Sequence, residues 1–331
     1  MKRLPFPETP MFLSYHNRAF PFGVIQANCP EDITRWMCSK CVSFIHYPNS
    51  PHTKFNISVW DMWGVADHLM HQQVLEIKKE YFKLFNIDLL HVLKTALDND
   101  HYINGSFNEK YIPEKWAYGR EDHDHDFLLI GYDNDTFFSV GYVADGRFKL
   151  FEIPAQNLLD GLMSISSEKV NLYLLQYADG AVPVPKTQDL IHILQVYLST
   201  GDPGNQPAPG ANSYGVLTNI RLRDHFVNEV RRQGRAYVDV RYSRIFYEHK
   251  WVLSRLVDVF LCGEEKENIQ VRADKNLERA KTVHMLGLKM NCTGKADLID
   301  RIASLIDEIV EEEQGYIPLL IQEFKKGNLI R

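Results

Sequence analysis

The chain has 331 residues, of which 45% are hydrophobic, 12% aromatic and 24% charged, enough core-forming material for one large domain or two modest ones. Its formal net charge of −6 provides no basic field for a nucleic-acid backbone or an anionic membrane, so neither is expected as a partner. There is no apolar run of about 18 residues and no apolar signal-peptide core after Met1-Lys2-Arg3, and five cysteines are too sparse for a disulfide framework; the expectation is a cytoplasmic protein with reduced thiols.

In chain order, residues 1–28 show scattered Pro and aromatic residues without a period and read as an extended lead-in. From Ile33 the apolar residues Trp36, Met37, Cys41, Phe44 and Ile45 recur at spacings of three and four, which predicts a covered helix over about 30–46. A Pro/Asn/Ser stretch from Pro48 to Pro51 follows, then alternation around Phe55, Ile57 and Val59, then helical pattern from Val65 to Leu97. The centre changes to short β-type runs: one from Tyr102, then 127–132, 136–142 and 147–153 separated by Asp-rich turns, and 171–177 after a helix opened by Pro154. Tight turns between consecutive strands predict an antiparallel meander, and helices followed by strands predict an α+β class. Residues 201–213, rich in Pro and Gly, read as a linker, and helices are expected at about 216–232, 246–262, 272–289 and 296–325. The run Glu311-Glu312-Glu313 reads as a solvated helix face.

Two residues stand out chemically. Cys29 precedes Pro30-Glu31-Asp32, a helix-start signature, and free N–H groups at a helix N-terminus favour the nucleophilic thiolate. The bland alternative is a small hydrophobe at a helix end. His125, in Asp122-His123-Asp124-His125-Asp126, heads the strand 127–132, where an imidazole would be held rigidly as a general base; a polar turn is its bland alternative. His123 and His125 also resemble part of a metallo-hydrolase His-x-His cluster, but the rest of that cluster is missing and the pair precedes its strand, so no metal and no other cofactor is expected. Cys38 and Cys41 lie in the helix pattern and read as core. Neither a phosphate-binding Gly-rich loop nor a Gly-x-Ser-x-Gly elbow is present.

A cysteine opening a buried helix, then a histidine heading an antiparallel strand, resembles the papain-like cysteine-peptidase fold. Tyr111-Ile112-Pro113, Tyr118-Gly119 and the run from His125 to Asp133 resemble the N-terminal domain of the butirosin-biosynthesis acyltransferase and related proteins beside nonribosomal peptide clusters. Tyr214-Gly215 and Glu248-His249-Lys250 to Arg255 are similar to one subgroup. The resemblance implies Cys29 as nucleophile, His125 as its base, and acyl transfer from a carrier-protein thioester through an acyl-enzyme to an amine acceptor. The glutamine expected six residues before the cysteine is replaced by Gly23, leaving Gln26 and Asn28 as oxyanion candidates. The orienting Asp expected after the histidine strand is also missing, and Asp126 and Asp145 are the substitutes.

The expected organisation is a papain-like α+β domain over 1–200, a linker at 201–213, and a helical region over 214–331 packed on the first domain. The leading expectation is a cysteine-dependent, amide-forming acyltransferase or amidase of specialised peptide or natural-product biosynthesis, its partners an acyl or peptidyl carrier protein thioester and an amine. The alternative is a non-catalytic peptidase-like binding protein for a carrier protein or peptide, the two differing in the reactivity of Cys29. Arg241, Arg244, His249 and Arg255 suggest a basic face for an acidic carrier domain.

Overall fold

The computed structural model describes residues 1–50, 54–57, 69–199, 211–234 and 236–330. In chain order the first elements are β1 (Lys2–Arg3), α1 (His16–Asn28), α2 (Thr34–Lys40), β2 (Phe44–His46), β3 (Phe55–Ile57), β4 (Met70–Lys78), α3 (Lys79–Leu84) and α4 (Leu89–Asp98). They are followed by β5 (Tyr102–Asn108), a 3-10 turn (Glu109–Tyr111), β6 (Asp124–Asp133), β7 (Thr136–Tyr142), β8 (Phe148–Pro154), α5 (Ala155–Met163) and β9 (Lys169–Tyr177). The rest are α6 (Thr187–Ser199), β10 (Ser213–Tyr214), α7 (Val216–Gln233), α8 (Val240–Phe260), α9 (Lys266–Thr293) and α10 (Leu298–Lys326). The class is α+β, as expected, and among these helices none is long and apolar enough to cross a membrane.

Two compact units form. The first, residues 1–31 and 62–181, holds a seven-stranded antiparallel sheet in the order β4-β9-β5-β6-β7-β8, with β1 added to β6. The expected meander is β6-β7-β8, and its Asp-rich turns close it as antiparallel hairpins. In β6, Phe127 to Ile130 are buried on both faces of the sheet. β1 reaches β6 because residue 131 is glycine: a side chain there would collide with the backbone of Lys2.

α1 occupies the segment read as an extended lead-in. Nearly every residue from His16 to Ile25 is buried, so no polar face interrupts the apolar one, and Pro21 sits inside the helix. Periodicity has nothing to detect in such a helix. The stretch expected as one helix over 30–46 is instead the short α2 and the strand β2. Asp32 Oδ1 accepts from the Thr34 backbone N–H at 2.9 Å, and α2 opens at Thr34, four residues later than the Pro-Glu-Asp signal placed it. After Cys41 the run Phe44–His46 pairs with β3, so residues that fit a helical stripe are buried as a strand. Of the helical pattern expected from Val65 to Leu97, residues 65–68 lie outside the described residues, and 70–78 form the long strand β4, which pairs along its whole length with β9.

The second unit, residues 32–61 and 182–331, joins α2 and the three-stranded sheet β10-β2-β3 to the helices α6–α10. The boundary expected at 200 therefore lies elsewhere: α6 packs on α7 and α10, and α2 packs on α8, so these segments bury their apolar faces with the C-terminal helices. The four C-terminal helices fall close to their expected ranges. The linker read at 201–213 lies outside the described residues except for 211–213. The Glu311–Glu313 run is not a uniformly solvated face: Glu313 is fully buried, 2.7 Å from Lys250 Nζ, and accepts from Tyr197 Oη and Asn219 Nδ2, both at 2.8 Å. Gly215 adopts φ +60° with its Cα against the Tyr197 backbone, where any side chain would collide.

Candidate functional site

The polar centre of the first unit grows from the β5–β6 register. Phe107 lies opposite His125 and Asn108 opposite Asp124, so the turn that leaves β5 carries Glu109 to the side of His125. Asn108 fixes that turn: its Oδ1 accepts from the backbone N–H of Lys110 and of His123, and its Nδ2 donates to Asp122. Glu109 Oε1 lies 2.9 Å from His125 Nδ1 and 3.4 Å from Lys115 Nζ, and Glu109 and Lys115 are both almost wholly buried. A carboxylate only accepts, so Nδ1 of His125 carries the proton and Nε2 remains free to act as base or ligand. Lys115 Nζ also donates to the Tyr142 carbonyl at 2.5 Å and lies over the rings of Phe127 and Phe151.

The N-terminal end of α1 supplies the second half. His16 opens the helix, stacks on Phe20 one turn on, and brings its ring centroid to 5.0 Å from that of His125. Its Nδ1 lies 3.2 Å from Asp126 Oδ1, and the same oxygen lies 4.0 Å from His125 Nε2. Adjacent strand residues normally face opposite ways, yet Asp126 turns back toward the histidines. Beyond His125 the rings continue outward through His123 to the exposed Trp116, with Tyr118 also exposed.

Burial raises the Glu109 carboxyl, but the His125 hydrogen bond and the Lys115 ammonium overcome it and hold the group below the usual range. Burial lowers Lys115 more than Glu109 raises it. Burial likewise lowers His16 despite Asp126, so this imidazole is neutral at pH 7. For Asp126 burial acts upward, and His16 and His125 outweigh it, bringing the carboxyl down to about 2.

Cys29 is elsewhere. It is the C-cap of α1, its N–H bonded to the Ile25 carbonyl, whereas the Pro-Glu-Asp sequence had placed it at a helix start. It lies thirteen positions beyond His16, about 20 Å of helical rise, so Cys29 and His125 lie at opposite ends of α1 and cannot share a proton. Its partner is Tyr177 at the end of β9, whose phenol is pushed up by burial and by the adjoining thiol. Comparison with protein-family models and with curated proteins gives no match.

The remaining expected residues divide. Gln26 accepts from the Met11 backbone N–H at 3.3 Å, and Asn28 donates to Tyr102 Oη and the Val24 carbonyl, so both serve the Cys29 end of α1 and neither faces His125. Asp145 is held in the β7–β8 turn by the backbone and guanidinium of Arg147. Asp126 does reach His125, but the group that orients its ring is Glu109. Cys38 and Cys41 are wholly buried, as a core reading requires, and burial pushes the Cys38 thiol up. Arg241, Arg244 and Arg255 are each paired with a carboxylate of their own neighbourhood (Asp239, Glu248 and Asp258), and His249 is buried against the Val42 carbonyl, so the four do not form a basic face.

His16, Glu109 and Lys115 are the residues that sequence reasoning missed. The usable signal was the strand pairing itself: setting the run from Tyr102 antiparallel to 124–129 places residues 107–109 beside His125.

Proposed function

We propose that this chain is a peptidase-like binding protein, for a peptide or a carrier-protein arm, that does not work through a cysteine acyl-enzyme. The observation that carries this reading is the position of Cys29 at the far end of α1 from His125. The papain-like resemblance calls for a nucleophile at the N-terminal end of a buried helix facing a strand-borne histidine. His16 stands at that place. The base and its orienting carboxylate are kept, as His125 and Glu109, without a thiol to activate. The exposed rings of Trp116 and Tyr118 on the flank of the centre support a binding role, since exposed aromatic side chains are favoured contact groups.

Intact mass after incubation of the full chain with short acyl N-acetylcysteamine thioesters tests the reading. The expected result is no acyl adduct that depends on Cys29. A stoichiometric adduct abolished by both Cys29→Ser and His125→Ala would overturn it. Binding is read by calorimetric titration with pantetheine and with a pool of short peptides. Saturable heat with one of them, lost in Trp116→Ala, is expected, and no heat with either overturns the binding assignment.

A further inference from the structure

We infer that His16, His125 and Asp126 form a binding site for a divalent first-row transition-metal ion. The inference goes beyond the binding role above and does not depend on the peptidase-like resemblance. One ligand atom from each residue lies within 4.8 Å of the other two. Zinc–ligand bonds of 2.0–2.2 Å in a tetrahedron set donors roughly 3.4 Å apart. Asp126 Oδ1 is already 3.2 Å from His16 Nδ1, and its 4.0 Å separation from His125 Nε2 closes with a side-chain adjustment of well under 1 Å.

The surroundings suit a metal ion. Glu109 receives the Nδ1 proton of His125 and so fixes the tautomer that presents Nε2, the carboxylate–histidine arrangement that supports metal-bound imidazoles. His16 is 8% exposed, and its Nε2 has no hydrogen-bond partner among the described residues. With the ion on Nδ1 the ring proton lies on this Nε2, so the spacing of the three donor atoms is what carries the site. With neutral imidazoles, the carboxylates of Glu109 and Asp126 face the single ammonium of Lys115, so the centre retains net negative charge for a cation. Two imidazoles and one carboxylate select zinc, cobalt, iron or nickel over calcium and magnesium, which require mainly oxygen ligands.

Glu109, His123 and His125 form a second group of ligand type around the same histidine. It is the poorer site: Glu109 is already committed to Lys115, and using Nδ1 of His125 as ligand would sacrifice the hydrogen bond that orients the ring. The two groups make opposite predictions for His16 and His123.

The test uses the full chain stripped by chelator, titrated with Zn(II) by calorimetry and with Co(II) by visible absorption. One ion per chain is expected. His16→Ala and Asp126→Asn should each weaken Zn(II) binding by about 100-fold or more, Glu109→Gln by about 10- to 100-fold, and His123→Ala by less than about 3-fold. His16→Gln, closer in size and polarity, serves if the alanine variant fails to fold, and far-ultraviolet dichroism checks each protein. The inference is overturned if the wild type takes up no more ion than the His16→Ala/His125→Ala double variant, or if His123→Ala abolishes uptake while His16→Ala does not. Ion uptake unchanged in Cys29→Ser keeps this outcome separate from the thioester experiment: an acyl adduct on Cys29 speaks only against the binding-protein reading, and absent ion uptake only against the metal site.

Discussion

Replacing Glu109 by Gln removes the counter-charge of a buried ammonium while keeping the size of the side chain. Lys115 is 3% exposed and its remaining direct partners are the Tyr142 carbonyl and two aromatic faces, with the Asp126 carboxylate, which is paired to His16, as the more distant negative charge. Breaking a buried pair by removing one member costs about 3–5 kcal/mol. The cost has a ceiling, because Lys115 can release its proton instead: at pH 7 that takes about 5 kcal/mol from an ordinary lysine pKa of about 10.4. An expected loss of about 3 kcal/mol lowers the midpoint of the sheet unit by about 10 °C. If the variant folds with Lys115 neutral, its unfolded state binds one more proton, and stability then rises with pH by about 1.4 kcal/mol per unit up to about pH 10. The difference from wild type should therefore shrink between pH 7 and 10. Removing both charges, as Glu109→Leu/Lys115→Met, should recover most of the loss. Urea unfolding across that pH range, with thermal melts at pH 7, reads all three quantities. A loss under about 1 kcal/mol, or a double variant no more stable than the single, would refute the claim that this pair holds charge against burial.

Iodoacetamide mapping should find the exposed Cys292 the fastest thiol and the buried Cys38 and Cys41 the slowest, with the Cys29 rate unchanged by His125→Ala; peptide mass spectrometry checks it. His284 is lowered to about 4 by burial and then by Arg244, so its neutral form stabilises the fold above the unfolded value of 6.5. That contribution, about 1–2 kcal/mol after discounting for partial exposure, should be lost as pH falls from 6.5 toward 4, and urea titrations of His284→Gln should show a flatter acid limb. Gly215→Ala should cost about 3 kcal/mol or more, because the left-handed backbone and the Tyr197 main chain both oppose a side chain, and a melt within about 2 °C of wild type would contradict that packing.

The parts of the fold legible in sequence are those whose signal is local. The β6-β7-β8 meander declares itself through Asp-rich turns between short β-type runs, and the C-terminal helices through stripes such as Ile302, Leu305, Ile306 and Ile309, all of them buried. What failed was periodicity where burial is complete or strands are short. α1 has no polar face to set its phase, and Phe44 and Ile45 continue a helical spacing by chance while pairing as a strand with β3. Glu313 shows the same limit for charge: three successive glutamates look solvated, but one of them turns inward to meet Lys250 from a helix 63 positions earlier.

The site divides along the same line. His125 was legible because its own neighbours mark it, an acidic turn leading into an apolar strand. Its partners were not, since each depends on a pairing that spans the chain: Glu109 on the β5–β6 register, Lys115 on a loop folding back under β7, and His16 on the docking of a helix more than a hundred positions away. Cys29 was misplaced by a correct local signal. Pro30 to Asp32 does announce a helix, but the preceding residues are helical too, so a cysteine between two helices caps the end of the first and never opens the second. A thiolate is favoured at the end of a helix where N–H groups are free, and at the end of α1 that faces His125 the residue present is an imidazole. The chemistry available there is consequently that of two histidines and a carboxylate.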